Sequence, residues 1–129
     1  MESETDIVEL TSGLSFADTV ARLKNAIETA EMTIFAQIDH AAGASEAGLT
    51  MPPTLVLIYG NPRGGTPIML AAPHSALDLP LRALVREENG RVLVSYHPAA
   101  AMLRAAGVPE TMATHLDRAQ QLLAKALGT

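Results

Sequence analysis

The chain contains no cysteine and no tryptophan. The first absence removes disulfides, cysteine-ligated zinc, iron–sulfur clusters and thiol catalysis together. The second, with aromatics at only 3%, removes the stacking platform used by single-strand nucleic-acid binders. Basic residues are scarce: 9 Lys and Arg stand against 14 Asp and Glu, a formal charge of −5. Such a balance matches neither a phosphate backbone nor an anionic membrane surface. The longest strongly apolar run, "TLVLIY" (54–59), falls far short of the roughly 20 residues that cross a bilayer. The start, "MESETDIVEL" (1–10), is acidic and lacks the basic and then apolar pattern of a secretory signal. These absences predict a soluble, cytoplasmic protein without nucleic-acid or membrane partners.

What is present suits one globular domain over 1–129. The length is ordinary for a single domain, and 48% apolar residues suffice for a core. "IVELTSGL" (7–14) reads as a strand. Ser15 and Asp18 then form a capping-box spacing, and Phe16, Val20, Leu23, Ile27 and Ala30 share one helical face. "MTIFAQIDH" (32–40) alternates, which puts Ile34, Ala36, Ile38 and His40 on one side of a strand. "HAAGASEAGLTMPP" (40–53) reads as a short helical turn or lid-like loop. "TLVLIYG" (54–60) is apolar on both faces, as expected of a central strand buried on both sides or within a dimer.

Pro80 to Glu88 reads as a strand, because Pro80 suits a strand start and Asn89-Gly90 before "RVLVSY" is a hairpin signal. Two helices close the chain. Pro98 and Gly107 bracket the first. Pro109 opens the second, which has Met112, Leu116, Ala119, Leu123 and Ala126 on one face. The order predicts an α+β fold, with helices on one face of a mostly antiparallel sheet.

"YGNPRGGTPIM" (59–69) is the least ordinary stretch. It lacks the Lys of a Walker loop, and "TPIMLAA" after it reads as a strand rather than a helix. Without a helix N-terminus, most of the anion attraction of such loops is missing. The expectation is a hairpin turn, with Pro62 at its second position, Gly64 left-handed and Asn61 bonding back to the main chain. The alternative is a turn that also presents Arg63 to a ligand or a subunit partner.

Four stretches resemble the bacterial and archaeal family known as domain of unknown function 302: "FAQIDHAAGASEAG" (35–48), "YGNPRGGTPIM" (59–69), "DLPLRALV" (78–85) and "VSYHPA" (94–99). The similarity spans roughly Leu14 to Gly107. Tyr59 in place of Phe, Arg63-Gly64 in place of Lys-Ala and His97 depart from the pattern. The resemblance implies a β-α-β4-α arrangement, related in outline to TATA-binding-protein-like folds, and a homodimer. It implies no reaction, and a fold does not imply one.

Candidate chemistry is sparse. Asp39 and His40 are adjacent on a strand, so they point to opposite faces and do not form a dyad. His40 is either a ligand-binding group at a pocket mouth or a polar residue bonded to the next turn. His74 precedes Asp78 by one helical turn, a spacing that serves a metal or a proton as well as a surface cap. His97 reads as an ordinary residue before a helix, and His115 as solvated on the last helix. No metal motif is recognisable and no cofactor is evident, although a metal or haem site assembled from His40, His74 and His97 stays open.

Three functions follow. The first is a non-catalytic small-ligand-binding module, with an apolar pocket between the sheet and the terminal helix. His40, Asn61, Arg63 and Thr66 would form its polar edge, with His74 and Asp78 as further candidates. The second is a homodimeric structural or interaction protein, suggested by the two-sided strand. The third is an enzyme using His40 or the His74/Asp78 pair.

Overall fold

The computed structural model describes residues 7–128. The acidic stretch 1–6, where the signal-sequence reading begins, and residue 129 lie outside the described residues. Five strands form one antiparallel sheet in the order β1-β5-β4-β3-β2. They are β1 (Val8–Ser12), β2 (Thr33–Asp39), β3 (Thr54–Gly60), β4 (Leu81–Glu88) and β5 (Arg91–Tyr96). The helices are α1 (Phe16–Thr29), α2 (His40–Glu46), α3 (Pro62–Ala71), α4 (Ala99–Ala105) and α5 (Thr114–Ala126), with 3-10 turns at Pro73–Leu77 and Glu110–Ala113.

Local signals set most of these elements. Ser15 caps α1 by accepting from the Asp18 amide at 3.1 Å. Asn89 and Gly90 both take positive φ, as a tight hairpin with the strands' twist requires. Pro80 stands immediately before β4, where its missing N–H costs nothing.

The core lies between one sheet face and the helices. Leu55, Leu57 and Tyr59 of β3, Leu81, Ala83 and Val85 of β4, and Val92 and Val94 of β5 meet Leu23 and Ile27 of α1. Ile68 of α3, Ala99 and Leu103 of α4, Val108, and Leu116, Ala119 and Leu123 of α5 complete the cluster. Each fully buried aliphatic side chain contributes about 1.5–3 kcal/mol. Two polar ties fix α5. Tyr59 donates its hydroxyl to the Ala119 carbonyl at 3.0 Å. Gln120 accepts from the Ala99 amide at 2.9 Å and donates to the His97 carbonyl at 2.8 Å.

Two expectations fail. The segment 62–71 is helix α3, not a hairpin turn followed by a strand. Asn61 and Pro62 explain why. Asn61 is the N-cap, its side chain accepting from the Arg63 amide at 3.0 Å, and Pro62 sits at the first helical position. Gly64, Gly65 and the interior Pro67 oppose a helix, by about 1 kcal/mol per Gly and about 3 for Pro. Burial of Gly64 and Ile68 offsets this.

The second failure is the face assignment in β2. The register with β3 slips between Ile34 and Ala36, so Phe35 is an extra residue in a bulge. Ile34 pairs with the core residue Tyr59, while Ala36 and Ile38 pair with Ile58 and Val56 on the opposite face. His40 no longer continues the strand; it opens α2, which Asp39 caps by accepting from the Ala42 amide at 2.9 Å.

Candidate functional site

Two adjoining depressions lie where β3 runs into α3 and α5 crosses the end of the sheet. The larger, about 410 Å³, is walled by Ala30 and Met32 after α1, by Gly60 to Gly64 except Pro62, by Leu81, and by α5. Arg63, His115 and Arg118 are its ionisable lining groups. No carboxylate lines it, and neither arginine forms an ion pair among the described residues. Asp117 lies on the other side of α5, where its charge, after burial, helps to raise the Tyr96 hydroxyl above its ordinary pKa.

The geometry follows from packing. The Tyr59 bond to Ala119 draws α5 over the end of β3, which brings Arg118 and His115 to Arg63. Burial, and secondarily Tyr96, holds the Tyr59 proton far above the usual phenol range, so this tie stays a neutral hydroxyl donor. Gly64 lets α3 and α5 touch: a Cβ there would lie 3.3 Å from the His115 ring. His115 is therefore exposed but packed, not simply solvated.

A helix N-terminus does exist at Pro62, contrary to the expectation of none. Its amides are nevertheless consumed. Pro62 has no N–H, Arg63 bonds the Asn61 side chain, and Gly64 and Gly65 both bond the Asn61 carbonyl at 2.9 Å. The cavity can attract anions through its side chains, not through a backbone cradle of the phosphate-loop kind.

The smaller depression, about 130 Å³, adjoins the first along Gly60, Asn61, Leu81 and Leu116. Phe35, Met69, Leu79 and Pro80 give it apolar walls, with Gly65 and Thr66 on its floor and rim. Phe35 reaches it because of the bulge.

A third concavity, about 570 Å³, spreads from the sheet face opposite the main helices round to Met102 of α4 and Gln120 of α5. His40, Asp78, Arg82 and His97 line it with Val56 and Leu84. Here a carboxylate and a guanidinium are both present, so the fixed charges cancel.

The expected site residues thus divide. Asn61 and Arg63 meet in the cationic cavity, and Asn61 and Thr66 in the apolar slot. His40 and Asp78 share the open-face concavity. His74 stands exposed on the 3-10 turn and lines none of the three. Among the described residues no imidazole exchanges a hydrogen bond or ion pair with a carboxylate, His74 and Asp78 included. Nor do three or more His, Asp or Glu among them group as a metal would require; His40 and His97 come to one concavity without His74. Arg118 and His115 escaped the sequence reading because their partner across the cavity, Arg63, is far off in the chain.

Comparison with known proteins completes the picture. The family model for a domain of unknown function, DUF302, matches residues 8–129. The crystal structure of an uncharacterised conserved DUF302 protein from Bacillus stearothermophilus superposes with a TM-score of 0.83, at 17% identity, over 95% of this chain and 96% of that one. That likeness shows the shared fold. Among curated proteins, a fluoride-specific ion channel, FluC 1, of Brucella suis biovar 1 is 41% identical over 90 residues. The match covers 69% of this chain and 35% of the relative. FluC 2 of Brucella melitensis biotype 1 is also 41% identical over 90 residues, 69% of this chain and 33% of the relative. This chain therefore spans about a third of the length of those relatives. None of its described helices is long and apolar enough to cross a membrane.

Proposed function

The chain belongs to the DUF302 family, and on that premise we propose that it is a binding module for a small anion-bearing molecule, held between the end of the sheet and α5. One observation carries this reading. In a chain of charge −5, Arg63 and Arg118 converge with His115 on a cavity that no carboxylate among the described residues lines. Like charges gathered without a counter-ion repel, and an anion entering the cavity relieves that repulsion while forming charge-assisted hydrogen bonds. Among the described residues lining the cavity none pairs a nucleophile with a base, which favours holding a ligand over transforming it.

The channel activity in the relatives' names is not carried over. We read the shared third of those proteins as an accessory anion-binding part, with conduction in the remainder. Isothermal titration with inorganic phosphate, and separately with fluoride, tests the site. Binding of either anion that is lost in the Arg63→Ala/Arg118→Ala double variant supports the reading. Absence of binding by both, or equal binding in the variant, overturns it.

A second reading concerns assembly. Ile38, Val56, Ile58 and Leu84 stand together on the sheet face without a helix layer, and a second copy of the chain is the apolar partner they suit. Light scattering at micromolar concentration should then return a dimer mass. A monomer mass removes this reading and leaves the anion site untouched.

A further inference from the structure

Gly64 and Gly65 are neighbours in α3, but only the first is explained by packing. A Cβ at Gly64 would press on the His115 ring at 3.3 Å. A Cβ at Gly65 would meet only the tip of Met69, at 3.9 Å, and Gly65 has no left-handed φ to favour glycine. Inside a helix, glycine costs roughly 0.5–1 kcal/mol against alanine. Gly65 thus gives up stability with no return in backbone geometry or contact. What a side chain there would do is fill the apolar slot beside the cationic cavity.

We propose that the molecule bound is a small amphipathic acid, its anionic head at Arg63 and Arg118 and its apolar group in the slot walled by Phe35, Met69, Leu79 and Pro80. This rests on the anion-binding reading above and adds the class of ligand. The slot's volume, about 130 Å³, is close to the roughly 150 Å³ cavity that accepts a benzene ring. It joins the cationic cavity along Gly60 and Asn61, so head and ring of one compact molecule can occupy both.

Asn61 lines both depressions. Its Oδ1 accepts from the Arg63 amide, and its Nδ2, with no partner among the described residues, remains available to donate to the head group with the arginines.

Isothermal titration with inorganic phosphate, phenyl phosphate and benzyl alcohol, on the wild-type chain and on Gly65→Leu, tests the proposal. Burial of the ring predicts that phenyl phosphate binds about tenfold to a hundredfold tighter than phosphate. Gly65→Leu should bring phenyl phosphate back to the phosphate level and leave phosphate affinity unchanged; circular dichroism checks that the variant is folded. If phosphate binds and phenyl phosphate binds no tighter, the amphipathic ligand is excluded and the anion site survives. If phenyl phosphate is tighter but indifferent to Gly65→Leu, the ring lies elsewhere and the proposal falls. If phenyl phosphate does not bind, or if benzyl alcohol binds as well as it does, this proposal falls; only if phosphate and fluoride both also fail to bind does the anion-binding reading fall with it.

Discussion

Arg86 and the pair Arg63 and Arg118 carry the same charge in opposite company. Arg86, on the sheet face without a helix layer, donates to Glu88 and, at 3.2 Å, to Glu9. The same Glu9 oxygen accepts from the Ser95 hydroxyl at 3.1 Å, and Arg91 approaches Glu88 at 4.0 Å. The Glu88 hydrogen bond raises the Arg86 pKa, and Arg86 in turn holds the Glu88 carboxyl below its ordinary value. Glu88 is thus part of a network rather than merely a solvated charge. Arg63 and Arg118 have no such partners among the described residues, and both line the depression beside α5. A guanidinium satisfied by its own chain has little left to offer a ligand, whereas one left unsatisfied beside a cavity retains its full hydrogen-bonding fork.

The comparison can be broken most directly by removing the unpaired charges. Hydrogen bonds to charged groups contribute about 1.5–3 kcal/mol each, so Arg63→Ala/Arg118→Ala should weaken phosphate binding by roughly a hundredfold or more in a titration. Its melting temperature should not fall, because among the described residues neither side chain makes an ion pair that would be lost.

Tyr59→Phe tests the tie that brings the arginines together. Loss of the Ala119 bond should cost about 1 kcal/mol in urea unfolding. It should also change the alkaline limb. The folded-state pKa of Tyr59 lies above the unfolded value of about 10. Its contribution is therefore complete below about pH 10 and is lost as pH rises beyond that. Stability of the wild-type chain should fall more steeply above pH 10 than that of Tyr59→Phe.

The two glycines sharpen the contrast at a smaller scale. Gly65→Ala should stabilise by about 0.5–1 kcal/mol, whereas Gly64→Ala should gain less, since the His115 ring must yield. Thermal unfolding of the two variants side by side decides this. The smallest effect is expected for Arg86→Ala: phosphate binding unchanged, and a stability loss at low salt that fades as salt is added.

Much of the fold was legible where the signal is local. The Ser15 cap, the Asn89-Gly90 turn, the Pro80 strand start and the apolar face of α5 each depend on neighbours within a few residues. Helix α3 was not. Asn61-Pro62 is a helix-start pair, but Gly64, Gly65 and Pro67 outweighed it, and the contact with His115 that rescues the helix comes from the far end of the chain. The site was half legible for the same reason. Asn61, Arg63 and Thr66 belong to a conspicuous segment. Arg118 and His115 belong to an ordinary amphipathic helix, and the packing of α5 with its Tyr59 and Gln120 ties brings them across.

The bulge at Phe35 has a further consequence. A strand's two faces are a matter of parity, and one additional residue reverses that parity for everything that follows. The same residue supplies an aromatic wall of the slot. Deleting Phe35 would therefore do two things in one stroke: restore strict alternation, with Ala36 to Asp39 keeping their present partners and faces on β3, and leave the depression beside Asn61 open on one side.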